Sequence, residues 1–472
     1  MTMTDERRVD WQELWRSGDL ARFCFISLGI LLHATNETMI ATVMPAMVGE
    51  LSGVELVGWS LAIYELGSIC AGAAAGRMVS YLPLRSNMAG AALLYAAGAA
   101  ACALAPSMPW FLAGRLLEGL GGGALVALAF VSVERLFPPK IWPQLFAIMS
   151  AVWGVSAFAG PLIGAMFAEF LSWRWAFAAF AGGGIVMAAA TLVVLRGPRA
   201  TRPAGGDARP PFPWFALAVL AAGISLIAFA GIWVSPLRSA ALLVAGLAGL
   251  AIFFVVDASR PASRLFPARL FDWGTPLGSG MTMVAAFSVA TCSFAVYGPL
   301  ILTSLHGIPL MTAGYIIAAE SIAWSILSIL VANAPPQRER LIITGGAVMI
   351  AAGIGGFAWA VPLGSIPLIL ACAVLQGGGF GIAWPFVTRM IVAAAPVDQR
   401  TVASSAVPTM QRIGYAVGSV TCGIIANSSG YAGGVSVETS ASVAAWLFLA
   451  FIPLGVLGAA AAFRVSRPVG VA

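Results

Sequence analysis

Long apolar runs recur along this chain from one end to the other. Each run has about 20 residues, enough for a helix to cross a hydrocarbon layer of roughly 30 Å. Only 9% of the 472 residues are charged and 60% are hydrophobic, whereas a soluble domain carries about 25% charged residues. Lipid offers no partner to backbone N–H and C=O groups, and the runs are continuous rather than alternating. The sequence therefore predicts an all-α integral membrane protein.

The apolar runs fall into groups of six, two and six, which predicts fourteen transmembrane helices. We expect a tail at 1–19, a six-helix bundle at 20–196, linkers with two inserted helices at 197–273, a second six-helix bundle at 274–464 and a tail at 465–472. The predicted helices are 20–48, 56–79, 87–106, 109–134, 142–170, 174–195, 214–233, 238–256, 274–304, 309–332, 341–361, 365–394, 400–427 and 441–463. Segment 257–273 mixes leucine and phenylalanine with arginine, which predicts an amphipathic helix on the membrane surface.

Basic residues predict the orientation of these helices. With the N-terminus in the cytoplasm, 21 of the 25 basic side chains fall in cytoplasmic segments. Only Arg174 and Arg238 fall outside, while Arg115 and Arg412 lie within helices. Cytoplasmic loops are enriched in Lys and Arg. We therefore expect the protein to lie in the inner membrane with both termini in the cytoplasm.

Several classes of function lack their sequence signatures. The six cysteines stand alone in apolar runs, so neither a metal site nor a disulfide framework is predicted. With two histidines and no HxxxH, GxSxG or Walker motif, the sequence predicts neither an enzyme nor a built-in ATP drive. The arginines are scattered singly between the apolar runs, so they indicate the orientation of the helices rather than a nucleic-acid-binding surface. We expect no cofactor other than a proton gradient.

Four carboxylates lie within the predicted helices: Glu37, Glu65, Glu118 and Glu320. A carboxylate facing lipid costs a few kcal/mol, so these groups should be paired, protonated or exposed to a wet cavity. A carboxyl that changes protonation with its surroundings can load and release protons. Glu37 is the first choice for that role, because His33 lies one turn away and titrates near physiological pH. A static His–Glu hydrogen bond is the alternative.

Two arginines inside helices also need partners. Glu118 lies three residues from Arg115 on one helical face, so the pair forms either a proton-coupling site or a structural salt bridge. Arg412 is interpreted as a hydrogen-bond donor in helix packing. Aromatic side chains within the spans suit flat, positively charged ligands if several face a cavity with the glutamates, although packing is the simpler role.

Several motifs resemble those of the major facilitator superfamily. The fourth helix carries R-x-x-x-G at Arg115, and the fifth carries G-P-x-x-G at 160–164, similar to the antiporter motif. The WRWAF stretch at 173–177, the segments 403–418 and 267–271 and the number of helices resemble its fourteen-span drug:proton antiporters. Two departures from the family pattern stand out. Asn36 replaces an aspartate of the first helix, and Ser80 and Pro83 replace an aspartate and a glycine in the loop after the second helix.

The resemblance implies two six-helix bundles around a central cavity, plus two extra helices. The expected proton-coupling residues are Glu37, His33, Glu118 and Arg115. The expected substrate-binding residues are Asn36, Glu65, Glu320, Tyr64, Tyr297, Trp324 and Trp384. The expected gating or structural residues are Gly76, Arg85, Gly160, Pro161, Gly164 and Arg412.

The function predicted from these features is proton-coupled export of amphipathic small molecules by alternating access, performed by a monomer in the lipid bilayer. Symport, or export of an endogenous metabolite or lipid, remains an alternative because the fold permits it. A membrane-embedded protein without transport activity is the third possibility.

Overall fold

A computed structural model describes residues 19–51, 57–197, 200, 211–232 and 234–465. Apart from Asp19 and Val465, the two predicted tails lie outside these residues, as does most of the first linker. All of the regular structure that it describes is helical. The α-helices are α1 Asp19–Leu51, α2 Val57–Met78, α3 Leu84–Ala103, α4 Met108–Leu136, α5 Trp142–Phe170, α6 Trp173–Val194, α7 Trp214–Ala230, α8 Pro236–Ala258, α9 Pro276–Ala290, α10 Cys292–His306, α11 Leu310–Val331, α12 Glu339–Leu363, α13 Ile366–Ala394, α14 Arg400–Ser428 and α15 Val437–Val465.

Each predicted helix has a counterpart, but the ninth is interrupted at Thr291 and forms α9 and α10. The Thr291 hydroxyl donates to the carbonyl of Phe287, and such bonds bend helices. In the described part of the chain, eleven helical segments are long and apolar enough to cross a membrane, with α9 and α10 forming one of them. Helices α2, α7 and α14 fall outside this set, and α7 has only 17 residues.

The helices form two halves, α1–α6 and α9–α15, with α7 and α8 packed against each other beside them. Helix α4 packs closely against α2 and α3 because it carries a run of glycines. A Cβ atom at Gly119 would overlap the backbone of Tyr64, and one at Gly121 would overlap that of Tyr95. Between the halves, α5 contacts α11 and α13, while α14 contacts α2 and α4.

Polar contacts join the halves at the predicted cytoplasmic end, where α1 begins and α2 ends. Gln144 donates to the side-chain oxygen of Asn333 at 2.9 Å, and Thr401 donates to Glu134 at 3.1 Å. Gly76 packs so tightly on α14 that a Cβ atom there would overlap a serine side chain. The two halves are therefore closed together at this end.

The amphipathic helix predicted within 257–273 is wrong. After α8 the chain forms a 3₁₀ turn at Pro261–Ser263 and then further turns up to α9. The Asp257 carboxylate accepts hydrogen bonds from the backbone N–H groups of Leu265, at 2.7 Å, and Phe266, at 3.0 Å. Both of these apolar side chains are buried. The apolar residues pack into the protein, and the capping carboxylate replaces the bonds that a helix would have made.

Candidate functional site

Arg412 of α14 joins the two halves through two carboxylates. Its guanidinium donates to Glu65 of α2 at 2.5 Å and to Glu37 of α1 at 2.8 Å. The side chain of Arg412 is 8% exposed, whereas those of Glu37 and Glu65 are 28% and 24% exposed. We call these three residues the carboxylate clamp. With both acids ionised the clamp carries one excess negative charge, which a single proton neutralises.

His33 makes its hydrogen bond to Tyr64 rather than to Glu37. Its Nδ1 lies 2.7 Å from the Tyr64 hydroxyl, and the two rings are stacked with centroids 5.2 Å apart. Its Nε2 lies 3.7 Å from a Glu37 carboxylate oxygen, beyond hydrogen-bond distance. The imidazole therefore sits beside the clamp, and proton sharing between His33 and Glu37 stays a prediction.

A second polar cluster lies inside the first half, without a direct route to water. Arg115 donates to both the Glu118 carboxylate and the Asn36 side-chain oxygen at 2.6 Å, and Asn36 donates to Glu118 at 2.6 Å. All three side chains are fully buried. The Arg115 guanidinium also lies 4.0 Å from the centre of the Tyr64 ring, an attractive cation–π geometry. The salt bridge expected from the spacing is present, and Asn36 completes a cluster with no net charge.

A cavity of about 160 Å³ lies between the two halves. Its walls include Trp153 of the first half and Trp324, Trp384 and Tyr415 of the second, together with Arg412. The Arg412 guanidinium lies 5.1 Å from the Trp153 ring centre. Two predicted substrate-binding tryptophans thus line the same cavity as the arginine of the clamp. This central cavity offers flat aromatic walls beside a charged group.

The other predicted ligand-contacting residues lie apart from those walls. Glu320 accepts a hydrogen bond from Gln376 at 2.7 Å, and its neighbour Ser321 lines the cavity. Tyr297 packs near Tyr431, with ring centroids 6.1 Å apart. Substrate contact by Asn36, Tyr64, Glu65, Tyr297 and Glu320 remains a prediction.

The predicted structural glycines bring α5 against α1 beside the clamp. A Cβ atom at Gly160 would overlap the Thr38 hydroxyl, and one at Gly164 would overlap that of Thr42. Pro161 lies inside α5 between them. This close approach places α5 directly behind the turn of α1 that carries Glu37. Arg85 lies half-buried in the first turn of α3.

Sequence reasoning missed the pairing of Arg412 with the two glutamates. The unmatched charges within individual helices could have indicated this pairing. Glu37 and Glu65 have no Lys or Arg within three turns of their own helices, and Arg412 has no acid in α14. Intramembrane charges need partners, so the unmatched groups of the two halves could have been paired.

Comparison with known proteins decides the family. The model of the Major Facilitator Superfamily matches residues 26–362. The chain belongs to the major facilitator superfamily. The predicted resemblance to this superfamily is confirmed, and the chain is a multi-pass membrane protein of a transporter family.

Relatives in this superfamily cover nearly the whole chain. A probable multidrug-efflux transporter of Mycobacterium tuberculosis is 29% identical over 483 residues, covering 99% of this chain and 98% of the relative. A multidrug transporter protein of Bacillus subtilis is 24% identical, covering 85% of this chain and 74% of the relative.

Solved structures of the superfamily share the fold. A proton:xylose symporter bound to 6-bromo-6-deoxy-D-glucose has a TM-score of 0.66 at 17% identity, covering 94% of this chain and 95% of the other. A human organic anion transporter has a TM-score of 0.65 at 16% identity, covering 94% of this chain and 99% of the other.

Proposed function

We propose that this major facilitator protein is a proton-coupled secondary active transporter. It exports amphipathic small molecules, cationic or lipophilic, by alternating access. Helices α2, α7 and α14 cross the membrane with the eleven apolar segments, which gives fourteen spans. Both termini face the cytoplasm, and the protein acts as a monomer in the inner membrane. Its partners are protons, small-molecule substrates and the lipid bilayer, with no other cofactor and no nucleic acid.

The observation that carries this proposal is the charge of the clamp. Two acids share one permanent cation across the boundary between the halves. Protonation of either acid removes its negative charge, so its bond with the guanidinium, which stays charged, becomes weaker. A proton therefore loosens the connection between the halves, and loss of the proton restores it. A coupled carrier needs such a link between protonation and conformation.

The central cavity and the relatives support the class of substrate. Its tryptophans offer stacking and cation–π surfaces, and such surfaces bind flat organic cations. The Mycobacterium tuberculosis and Bacillus subtilis relatives are named for multidrug transport. The same substrate class is what we propose for this chain.

The energy of a proton gradient suffices for this work. One proton entering down 100 mV supplies about 2.3 kcal/mol, and each pH unit adds about 1.36 kcal/mol. One or two protons therefore sustain a tenfold or larger substrate gradient, which costs about 1.4 kcal/mol per factor of ten.

The test is a substrate-panel assay in proteoliposomes with an imposed pH gradient. We expect the gradient to drive organic cations against their concentration difference, while protons move the opposite way. Glu37→Gln should abolish the dependence on pH, whereas Glu169→Gln, at an exposed position of α5, should keep it. Unchanged pH dependence in Glu37→Gln would refute the coupling role of Glu37. Movement of substrate and protons in the same direction would establish symport instead.

A further inference from the structure

A second cavity lies under the inserted helix α7, on the other side of the clamp. It has a volume of about 180 Å³ and is bounded by α2, α7 and α14. Its lining includes Leu61 and Glu65 from α2, Ile227 and Ala228 from α7, and Ser419 from α14. These positions are near the start of α2 and towards the ends of α7 and α14, which is the predicted outer end. We call this cavity the side pocket.

Helix α7 forms a wall of this pocket because it covers the seam between the two halves. It contacts α2 of the first half and α14 of the second. The Phe229 ring of α7 packs edge-to-face on Trp59 of α2, with centroids 4.3 Å apart. Gly231, directly after α7, lies close to the Val420 side chain of α14. The inserted helix therefore encloses space that would otherwise open into lipid.

The bond between Glu65 and Arg412 separates the side pocket from the central cavity. Glu65 lines the side pocket, whereas Arg412 lines the central cavity. One Glu65 oxygen accepts the 2.5 Å bond from Arg412. The other is buried and has no hydrogen-bond partner within the described part of the chain. Because burying such an oxygen without a donor is costly, we expect it to receive a hydrogen bond from water or to bind a proton.

The end of α7 supplies further polar atoms to the pocket. A helix of 17 residues is about 26 Å long, which is shorter than a hydrocarbon layer of roughly 30 Å. The last four carbonyls of a helix lack partners within it. The Ala228 carbonyl accepts a hydrogen bond from the backbone N–H of Gly231 at 3.1 Å, whereas the carbonyl of Ile227 belongs to the same last turn. The Ile227 carbonyl, the Ser419 hydroxyl and the Glu65 carboxylate are the polar groups that the pocket offers to water. The volume of about 180 Å³ is larger than the roughly 30 Å³ that one water occupies in the liquid.

We propose that the side pocket is a hydrated proton-entry route that ends on Glu65. A hydronium ion that reaches the pocket gives its proton to the Glu65 carboxylate and remains as water. Glu37, which shares Arg412 with Glu65, is the neighbouring acid. The neutral acid holds Arg412 less strongly, so the partition between the two cavities loosens. The aliphatic lining offers no aromatic surface for a flat substrate, unlike the central cavity. This inference rests on the proposed proton coupling and assigns the inserted helix α7 a part in it.

A matched pair of variants on α7 tests the route. Ala228→Phe fills the pocket, whereas Ala222→Phe places the same ring at an exposed position of the same helix. In proteoliposomes, Ala228→Phe should slow pH-driven export by roughly fivefold, equivalent to about 1 kcal/mol of added barrier. Binding of tetraphenylphosphonium to the purified protein should stay as in Ala222→Phe. Equal export rates in the two variants would overturn the proposal, as would loss of tetraphenylphosphonium binding in Ala228→Phe alone.

Hydration can be measured without transport. In a background that lacks the six native cysteines, Ser419→Cys should react with a charged, membrane-impermeant methanethiosulfonate reagent, because the reactive thiolate forms in water. Ala222→Cys should stay unlabelled in lipid. An unreactive Ser419→Cys would overturn the proposed route even if Ala228→Phe failed to fold. If the wild type shows no pH-driven export, the proposed function fails, whereas the labelling still reports whether the pocket is wet.

Discussion

Replacing Glu65 by glutamine imitates its protonated form and should shift the balance between the two conformations of the transporter. The substitution removes the charge from the 2.5 Å bond that α2 makes with Arg412. This bond joins the two halves in the state closed at the predicted cytoplasmic end. We expect it to break when the halves separate there. Glu65→Gln should therefore raise the population of the state that is open at that end.

The size of the shift follows from the strength of the bond. A hydrogen bond to a charged group contributes about 1.5–3 kcal/mol. Glu65→Gln weakens this bond without removing it, because Arg412 keeps its charge and the amide oxygen still accepts. At about 1.36 kcal/mol per factor of ten, a change of roughly 10- to 150-fold in the ratio of the two states is therefore the upper limit. Glu65 is 24% exposed, and water weakens charge interactions. We therefore expect a change near the lower end of this range.

Distances between spin labels measure the ratio of the two states directly. Lys140 and Gln337 are exposed positions near the predicted cytoplasmic ends of the first and second halves, and both accept labels in a cysteine-free background. Glu65→Gln should enlarge the long-distance population, while Glu169→Gln should leave it unchanged. A ratio that changes by less than about threefold, which is below 1 kcal/mol, would refute the reasoning.

A double-mutant cycle isolates the interaction itself. In an Arg412→Gln background the charge-assisted bond is already lost, so Glu65→Gln should add little further change. Interacting residues show such non-additivity. Additive effects of the two substitutions would mean that Glu65 acts through something other than Arg412.

Three further predictions concern the closed end, the cavity and the buried cluster. Gly76→Ala should weaken closure at the predicted cytoplasmic end, because the added Cβ overlaps a side chain of α14. Gly90→Ala is the control, since a Cβ there meets nothing within 4 Å. Equal spin-label distances in the two variants would contradict this prediction. Trp324→Ala should weaken binding of flat organic cations by about fivefold, or roughly 1 kcal/mol, and Trp446→Ala, 63% exposed, serves as the control in the same titration. Glu118→Gln should destabilise the protein by about 3–5 kcal/mol, because its fully buried arginine partner loses its counter-charge. Its thermal unfolding midpoint should fall while the pH dependence of export persists; an altered pH dependence at unchanged stability would instead support a coupling role.

The sequence was sufficient for the helices because helix length and hydropathy are local properties. Continuous apolar runs predicted the described α-helices, including the polar α2 and α14, although α9 and α10 were predicted as one helix. The cost of charge in lipid identified Glu37, Glu65 and Arg412 as residues that must avoid the bilayer. The motifs at Arg115 and Gly160 placed the chain in its superfamily before any contact was known.

Local sequence patterns gave the wrong result where a particular side-chain contact decided the structure. The apolar and basic pattern of 257–273 favoured a surface helix, but the Asp257 carboxylate captured the backbone N–H groups of Leu265 and Phe266. The i,i+4 spacing favoured a bond between His33 and Glu37, but the Nε2 atom of His33 stays 3.7 Å from the Glu37 carboxylate. The hydrogen bond that His33 makes joins its other ring nitrogen, Nδ1, to the hydroxyl of Tyr64 on the next helix.

The amino-acid sequence by itself determined that the chain forms many apolar helices of membrane-spanning length, and which charged groups need shelter from lipid. Only the tertiary structure decided how those groups are shared. Arg412 lies 347 residues from Glu65 and 375 from Glu37 along the chain, and the packing of α14 against the first half brings them within bonding distance. The same packing, with α7 across the seam, separates the side pocket from the central cavity. Such pairings depend on how whole bundles meet, a property that no single stretch of sequence contains.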